Sequence, residues 1–215
     1  MIQLQQLHEL FQEISKRIHE KRDELCELDG FAGDGDHGIS MDIGFAAACA
    51  VSPDEFTDIG EYLKVCAKSF IQAVGASIGP LYGTAFLRAA KYATGKSALS
   101  AEDCVQMIQL GVAGMQERGK AQLGDKTLLD TLLPFAQTLR DSMDAQGSWA
   151  DKVKTAMQEA HAGMESTREM VANIGRSSRL GERSRGGVDP GAASAYVVLQ
   201  AGADLVSLRV GEFAG

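Results

Sequence analysis

Leu4, Leu7, Phe11, Ile14, Ile18, Leu25 and Leu28 recur at steps of three, four or seven, the spacing that lines one face of an α-helix. The first segment therefore reads as a long amphipathic helix. Helical spacing recurs around 38–50, 55–73, 80–94, 101–118, 126–143, 149–173 and 190–208, and no run alternates apolar and polar residues as a half-buried strand would. Eight helices with short joints are expected. Ser100 with Asp103 forms a capping-box signal, Ser148 can cap a helix starting at Trp149, and Asp189-Pro190 reads as an N-cap followed by a first-turn proline. No linker, composition break or fixed-period repeat divides the chain, so residues 1–215 read as one all-α domain.

Composition narrows the function classes. With 45% apolar and 23% charged residues over 215 positions, the chain can bury a substantial core without disulfide staples. Its 29 acidic and 21 basic residues give a net charge of -8, which argues against nucleic acid as a partner. Cysteines at 26, 49, 66 and 104 fit neither a zinc cage nor a redox pair and read as buried thiols of a cytoplasmic protein. The uncharged run from Ser69 to Leu87 is broken by Gly75, Gly79, Pro80 and Gly83, and the charged N-terminus lacks the apolar stretch of a signal peptide. No membrane segment is expected.

The chemistry lies between the helices, where many of the 24 glycines cluster at 29–38, 75–83, 119–125 and 175–191. The stretch Asp29-Gly-Phe-Ala-Gly-Asp-Gly-Asp-His-Gly38 interleaves three carboxylates with four glycines. Residues five apart do not share a helix face, so Asp29, Asp34 and Asp36 can meet only in a folded loop. Three converging anions need a cation or hydrogen bonds to stay ionised. Magnesium holding phosphates suits this donor set better than calcium, because position twelve of a calcium loop is Ser40 or Phe45 here instead of Glu. A solvated acidic turn is the plain alternative, and His37 alone adds little. Residues 75–83 place small side chains before a helix that Pro80 can start, which suits either phosphate binding or a tight turn. Residues 175–191 combine four arginines with five glycines and complement the acidic loop in charge. Thr94-Gly-Lys-Ser97 is not a P-loop, since Ala90 stands where glycine is required.

Four motifs in this order carry a family resemblance: D-x4-D-x-D-H-G at 29–38, G-A-S-I-G-P-L-Y-G at 75–83, G-K-A-x2-G-D-K-T-x2-D at 119–130, and G-R-x-S-x-L-G-E-R-S-x-G-x2-D-P-G-A at 175–192. Over essentially its whole length the chain resembles the L subunit of bacterial dihydroxyacetone kinase, the nucleotide-binding half of that enzyme. The resemblance implies a barrel of eight antiparallel helices with the nucleotide at one rim. It implies that Asp29, Asp34 and Asp36 hold two magnesium ions bridging the phosphates of ADP or ATP. It assigns His37, Gly38, Ile39, Ser40, Ser77, Ile78, Gly119, Thr127, Leu128, Arg176, Asp189, Pro190 and Gly191 to the nucleotide pocket. The family usually has serine at Ile78, commonly asparagine at Ser40 and histidine at Gly187, so the phosphate contacts differ in detail. The implied partners are a K subunit that holds the ketose and a phosphotransferase-system M subunit that recharges resident ADP; homodimerisation is left open. Two other readings stay open: a non-catalytic nucleotide-sensing module, and a free-standing metal hydrolase, for which His37 is the sole candidate base.

Overall fold

The computed structural model describes residues 1–75 and 77–208. Ala76, within the expected phosphate loop, and residues 209–215 lie outside the described residues. Eight α-helices form the described chain: α1 (Leu4–Gly30), α2 (His37–Cys49), α3 (Ile59–Ala73), α4 (Ile78–Ala93), α5 (Ala101–Gly119), α6 (Leu129–Asp141), α7 (Trp149–Ser166) and α8 (Pro190–Leu208). Each helix packs against its successor, and α8 also packs back on α1. The core includes Phe45, Phe70 and Tyr62, all withdrawn from solvent. Phe45 meets Phe70 edge-on at 5.3 Å and Tyr82 at 5.7 Å, a geometry the ring quadrupoles favour. Among the described residues no helix is long and apolar enough to cross a membrane.

The caps follow local chemistry. Ser100 Oγ accepts from the Asp103 N–H at 3.1 Å while Asp103 Oδ2 accepts from the Ser100 N–H at 2.9 Å, which completes the expected capping box. Ser148 and Asp151 repeat it at α7. Asp189 Oδ2 accepts from the Ala192 N–H at 2.8 Å, so the Asp-Pro start of α8 is as the sequence suggests.

Several boundaries differ for tertiary reasons. The helix expected over 149–173 stops at Ser166 and tightens into a 3-10 turn, Thr167–Glu169. There the Thr167 carbonyl accepts both the Met170 N–H at 3.2 Å, a 3-10 bond, and Lys126 Nζ at 2.5 Å. The segment expected to begin at 55 begins at Ile59, because Asp58 is the N-cap; its Oδ1 accepts from the Glu61 N–H at 2.9 Å. The segment expected to begin at 126 begins at Leu129, since Lys126 takes a left-handed φ of 60°. Helix α4 starts at Ile78, two residues before Pro80. A small antiparallel pair, β1 (Ile2–Gln3) with β2 (Ala98–Leu99), places Ile2 opposite Leu99; two residues per strand are too few for alternation to show. The arginine-rich segment holds a 3-10 helix, Ser177–Ser184, kinked at Gly181. Only Cys66 is fully buried; Cys26, Cys49 and Cys104 are half-buried, and all four are free thiols.

Candidate functional site

One end of the bundle gathers the C-terminal ends of α1 and α5 and the N-terminal ends of α2, α4, α6 and α8 around a cleft of about 480 Å³. Helix N-termini direct unpaired N–H groups and partial positive charge outward, which suits an anionic ligand.

The acidic segment is built from one residue outward. Asp29 belongs to the last turn of α1, and its Oδ2 accepts from the backbone N–H groups of Gly35 at 2.9 Å, Asp36 at 3.0 Å and His37 at 3.3 Å. Those three bonds fold residues 31–36 back over the helix end. The fold tolerates little bulk at position 33, where a Cβ would stand 2.3 Å from Asp29 Oδ1. As a result, one carboxylate oxygen from each of Asp29, Asp34 and Asp36 lies within 4.8 Å of the others. Asp34 and Asp36 are exposed and Asp29 is half-buried. Arg176 reaches across from the basic segment and pairs with Asp34. The two loops of opposite charge therefore meet at the cleft.

His37 is buried and faces inward. Its ring bonds Ser194 at 2.8 Å through Nε2, and the Ser194 hydroxyl donates to the Gly191 carbonyl at 3.1 Å. Burial pushes the imidazole down to about 4, and the Asp29 charge pulls the other way. His37 is therefore neutral near neutral pH and ties the start of α2 to the start of α8. That engagement commits Nε2 of the one base the hydrolase reading had available.

The 120–128 loop is folded by Asp130, whose Oδ1 accepts from the Gly124 N–H at 2.5 Å and Oδ2 from the Thr127 N–H at 2.7 Å. Beside it, Lys126 is 4% exposed and donates to the carbonyls of Thr167 at 2.5 Å and Gly187 at 2.6 Å.

Asp29, Asp34, Asp36, His37, Ser40, Ser77, Ile78, Gly119, Thr127, Leu128, Arg176, Asp189, Pro190 and Gly191 all border the cleft. Gly38 and Ile39 do not. Gly38 is buried against α1, where a Cβ would fall 2.0 Å from the Arg22 carbonyl oxygen, and Ile39 points outward at 48% exposure. Sequence reading missed Phe31, Leu81, Met115, Arg118 and Lys126 in the lining, together with Ser194 behind it. Lys126 stood inside the quoted G-D-K-T run and was visible there; Ser194 carries no sequence signal at all.

Three comparisons bear on this arrangement. The sequence pattern described as the DAK2 domain matches residues 31–204. The chain is 39% identical over 177 residues to the ADP-binding subunit DhaL of the PEP-dependent dihydroxyacetone kinase of Escherichia coli K12, covering 82% of this chain and 84% of that one. It is 36% identical over 197 residues to the corresponding subunit of dihydroxyacetone kinase 2 from Listeria innocua, covering 88% of this chain and 89% of that one. In three dimensions it matches the dihydroxyacetone kinase from C. freundii, crystallised with AMP-PNP and Mg2+, with a TM-score of 0.68 at 21% identity. That match covers 92% of this chain and 33% of the larger protein, and it shows a shared fold.

Proposed function

Because the chain belongs to the DAK2-domain family, we propose that it is the nucleotide-binding subunit of a dihydroxyacetone-type kinase, presenting Mg-ADP or Mg-ATP to a ketose held by a separate subunit. The observation that carries this reading is the convergence of Asp29, Asp34 and Asp36 beside a cleft bordered by four helix N-termini. The contacts between successive helices, closed by α8 on α1, support a single barrel of eight antiparallel helices with this cleft at its rim.

The donor set fits the implied metal: three hard carboxylate oxygens lie within 4.8 Å of one another, and two of the three aspartates are exposed. Asp29, Asp34 and Asp36 would hold it, as two magnesium ions in our reading. Bound magnesium supplies neutralisation of the phosphate charge that otherwise resists transfer. The protein's own part is placement. The N-terminal N–H groups of α4, at Ser77 and Ile78, and of α8, after Asp189-Pro190-Gly191, would receive phosphate oxygens. Leu81, Met115, Leu128 and Pro190 give an apolar wall for a base. Arg176 offers its guanidinium to phosphate oxygens, whose charge it matches. His37 is buried and holds Ser194 through Nε2, a structural engagement, and in our reading acceptor activation falls to the partner subunit. A phosphotransferase-system protein would recharge a resident ADP.

Titration calorimetry with ADP and magnesium tests the reading directly. The wild type binds ADP only with the metal, and Asp34→Ala weakens binding by about a hundredfold. Metal-independent binding, or full affinity in the variant, overturns it.

A further inference from the structure

The basic segment between α7 and α8 is tied at its neck to the 120–128 loop. Lys126 Nζ donates to Thr167 O, where the segment leaves α7, and to Gly187 O, where it returns toward α8. One residue earlier, Asp125 holds the entering strand again: its Oδ1 accepts from the Asn173 amide at 3.0 Å and its carbonyl from the Asn173 N–H at 3.2 Å. The two strands also join each other, through Gly186 N–H to Arg168 O at 2.8 Å and Arg185 Nη1 to Glu169 O at 2.7 Å. Among these, the lysine alone spans both strands from a third element. It does so at 4% exposure and from a left-handed backbone that a lysine seldom adopts. A buried ammonium placed on two carbonyls costs desolvation that only a defined geometry offsets. Arg176, which pairs with Asp34, rides on the segment so closed.

We infer that Lys126 is a positioning residue: it closes the neck of the 167–187 segment on the 120–128 loop and thereby sets Arg176 over the acidic cluster. The lysine borders the cleft, but its ammonium acts through its two carbonyl contacts. The ligand-dependent part of the inference rests on the proposed nucleotide site; the neck itself does not.

Lys126→Met keeps the side-chain length and removes the donors. In limited trypsin digestion without nucleotide, cleavage after Arg176, Arg179 and Arg183 speeds by about tenfold in the variant, while the helical circular dichroism stays native. An unchanged cleavage rate overturns the clasp. Lys126→Gln keeps an uncharged amide donor group on a shorter side chain and gives an intermediate rate; it also replaces the first variant if that one fails to fold. Hydrogen exchange on the wild type provides an arm free of mutation: the Gly186 and Asn173 amides exchange more slowly than those of 178–180, and equal rates overturn the proposal.

A double-mutant cycle then asks whether Lys126 works through Arg176. Mg-ADP affinity falls by about tenfold in Lys126→Met and in Arg176→Ala, and the double variant is no weaker than Arg176→Ala alone. Additive losses sink the positioning role even where digestion shows a loosened neck. Should wild-type protein bind no Mg-ADP, the nucleotide reading fails, and the digestion and exchange results still decide the clasp.

Discussion

Two loops at the same end of the bundle each fold around an aspartate, Asp29 in one and Asp130 in the other, yet the two carboxyls are used in opposite ways. Asp130 is fully buried and gives both oxygens to backbone N–H groups, those of Gly124 and Thr127. Asp29 is half-buried and concentrates three N–H groups on Oδ2 alone. It thereby folds its loop and still stands within 4.8 Å of Asp34 and Asp36. A carboxyl whose two oxygens are both committed to the chain can only shape it. One that folds the chain with a single oxygen can do that and also serve a ligand.

Asparagine separates these uses, because it offers one acceptor where aspartate offers two. In Asp130→Asn the amide NH2 must face one of two part-buried backbone N–H groups, which leaves that donor without its partner and costs about 2 kcal/mol. For a chain of this length that lowers Tm by roughly 4–8 °C. In Asp29→Asn the amide oxygen can take the Oδ2 position and keep the loop folded, so stability changes by less than about 1 kcal/mol. The lost charge weakens metal-dependent ADP binding instead, by about a hundredfold. Thermal melts and calorimetry on the pair check both halves. Equal Tm losses would break the contrast.

A smaller perturbation sharpens it. Gly33→Ala puts a methyl 2.3 Å from Asp29 Oδ1, and the overlap is relieved only if the carboxyl swings away. Mg-ADP affinity should drop by about tenfold with stability altered by only about 1 kcal/mol. Gly124→Ala in the other loop meets no atom within 4 Å but carries a φ of +94°. It should cost about 1 kcal/mol of stability through backbone strain. If Gly33→Ala leaves affinity intact, Asp29 is not held by its neighbours as described.

The same two loops show what the sequence could reveal. The five-residue spacing from Asp29 to Asp34 forces a folded segment if the carboxylates are to meet, and that inference needs no coordinates. Helix periodicity located all eight α-helices for the same reason: it is a local signal, repeated over many residues. What stayed hidden depends on distant partners. The Thr167 carbonyl just past the end of α7 is met by Lys126, 41 positions away in the chain. Ser194 reaches His37 from 157 positions away. Gly38 and Ile39 follow the acidic loop in sequence, yet the first turn of α2 rotates one onto α1 and the other outward, away from the cleft. Adjacency along a motif does not carry a residue into the site once a helix begins.

A third aspartate lies between the two regimes and gives the smallest effect. Asp189 caps α8 through the Ala192 N–H at 2.8 Å and borders the cleft. Its carboxyl is pushed up to about 7, chiefly by desolvation; the Ala192 bond and the Lys126 charge pull it down, and Asp130 adds to the rise. The folded chain thus keeps a proton that the unfolded chain releases between its ordinary value of 3.8 and about 7. Stability from this group is therefore present at low pH, declines as pH rises through that window and levels off above it. His37, held down to about 4, acts with the opposite sign, since the unfolded imidazole takes a proton below about 6.5 and the buried one does not until about 4. Asp189→Asn isolates the first contribution, because asparagine caps a helix as well as aspartate and needs no proton to stay neutral. Urea midpoints taken at about pH 5 and about pH 8 should show the wild type losing about 1 kcal/mol more than the variant between them, a figure discounted for partial exposure. Parallel pH profiles would mean that the cap is ionised throughout, and Asp189 would then join Asp29 as a charge available to a cation in the cleft.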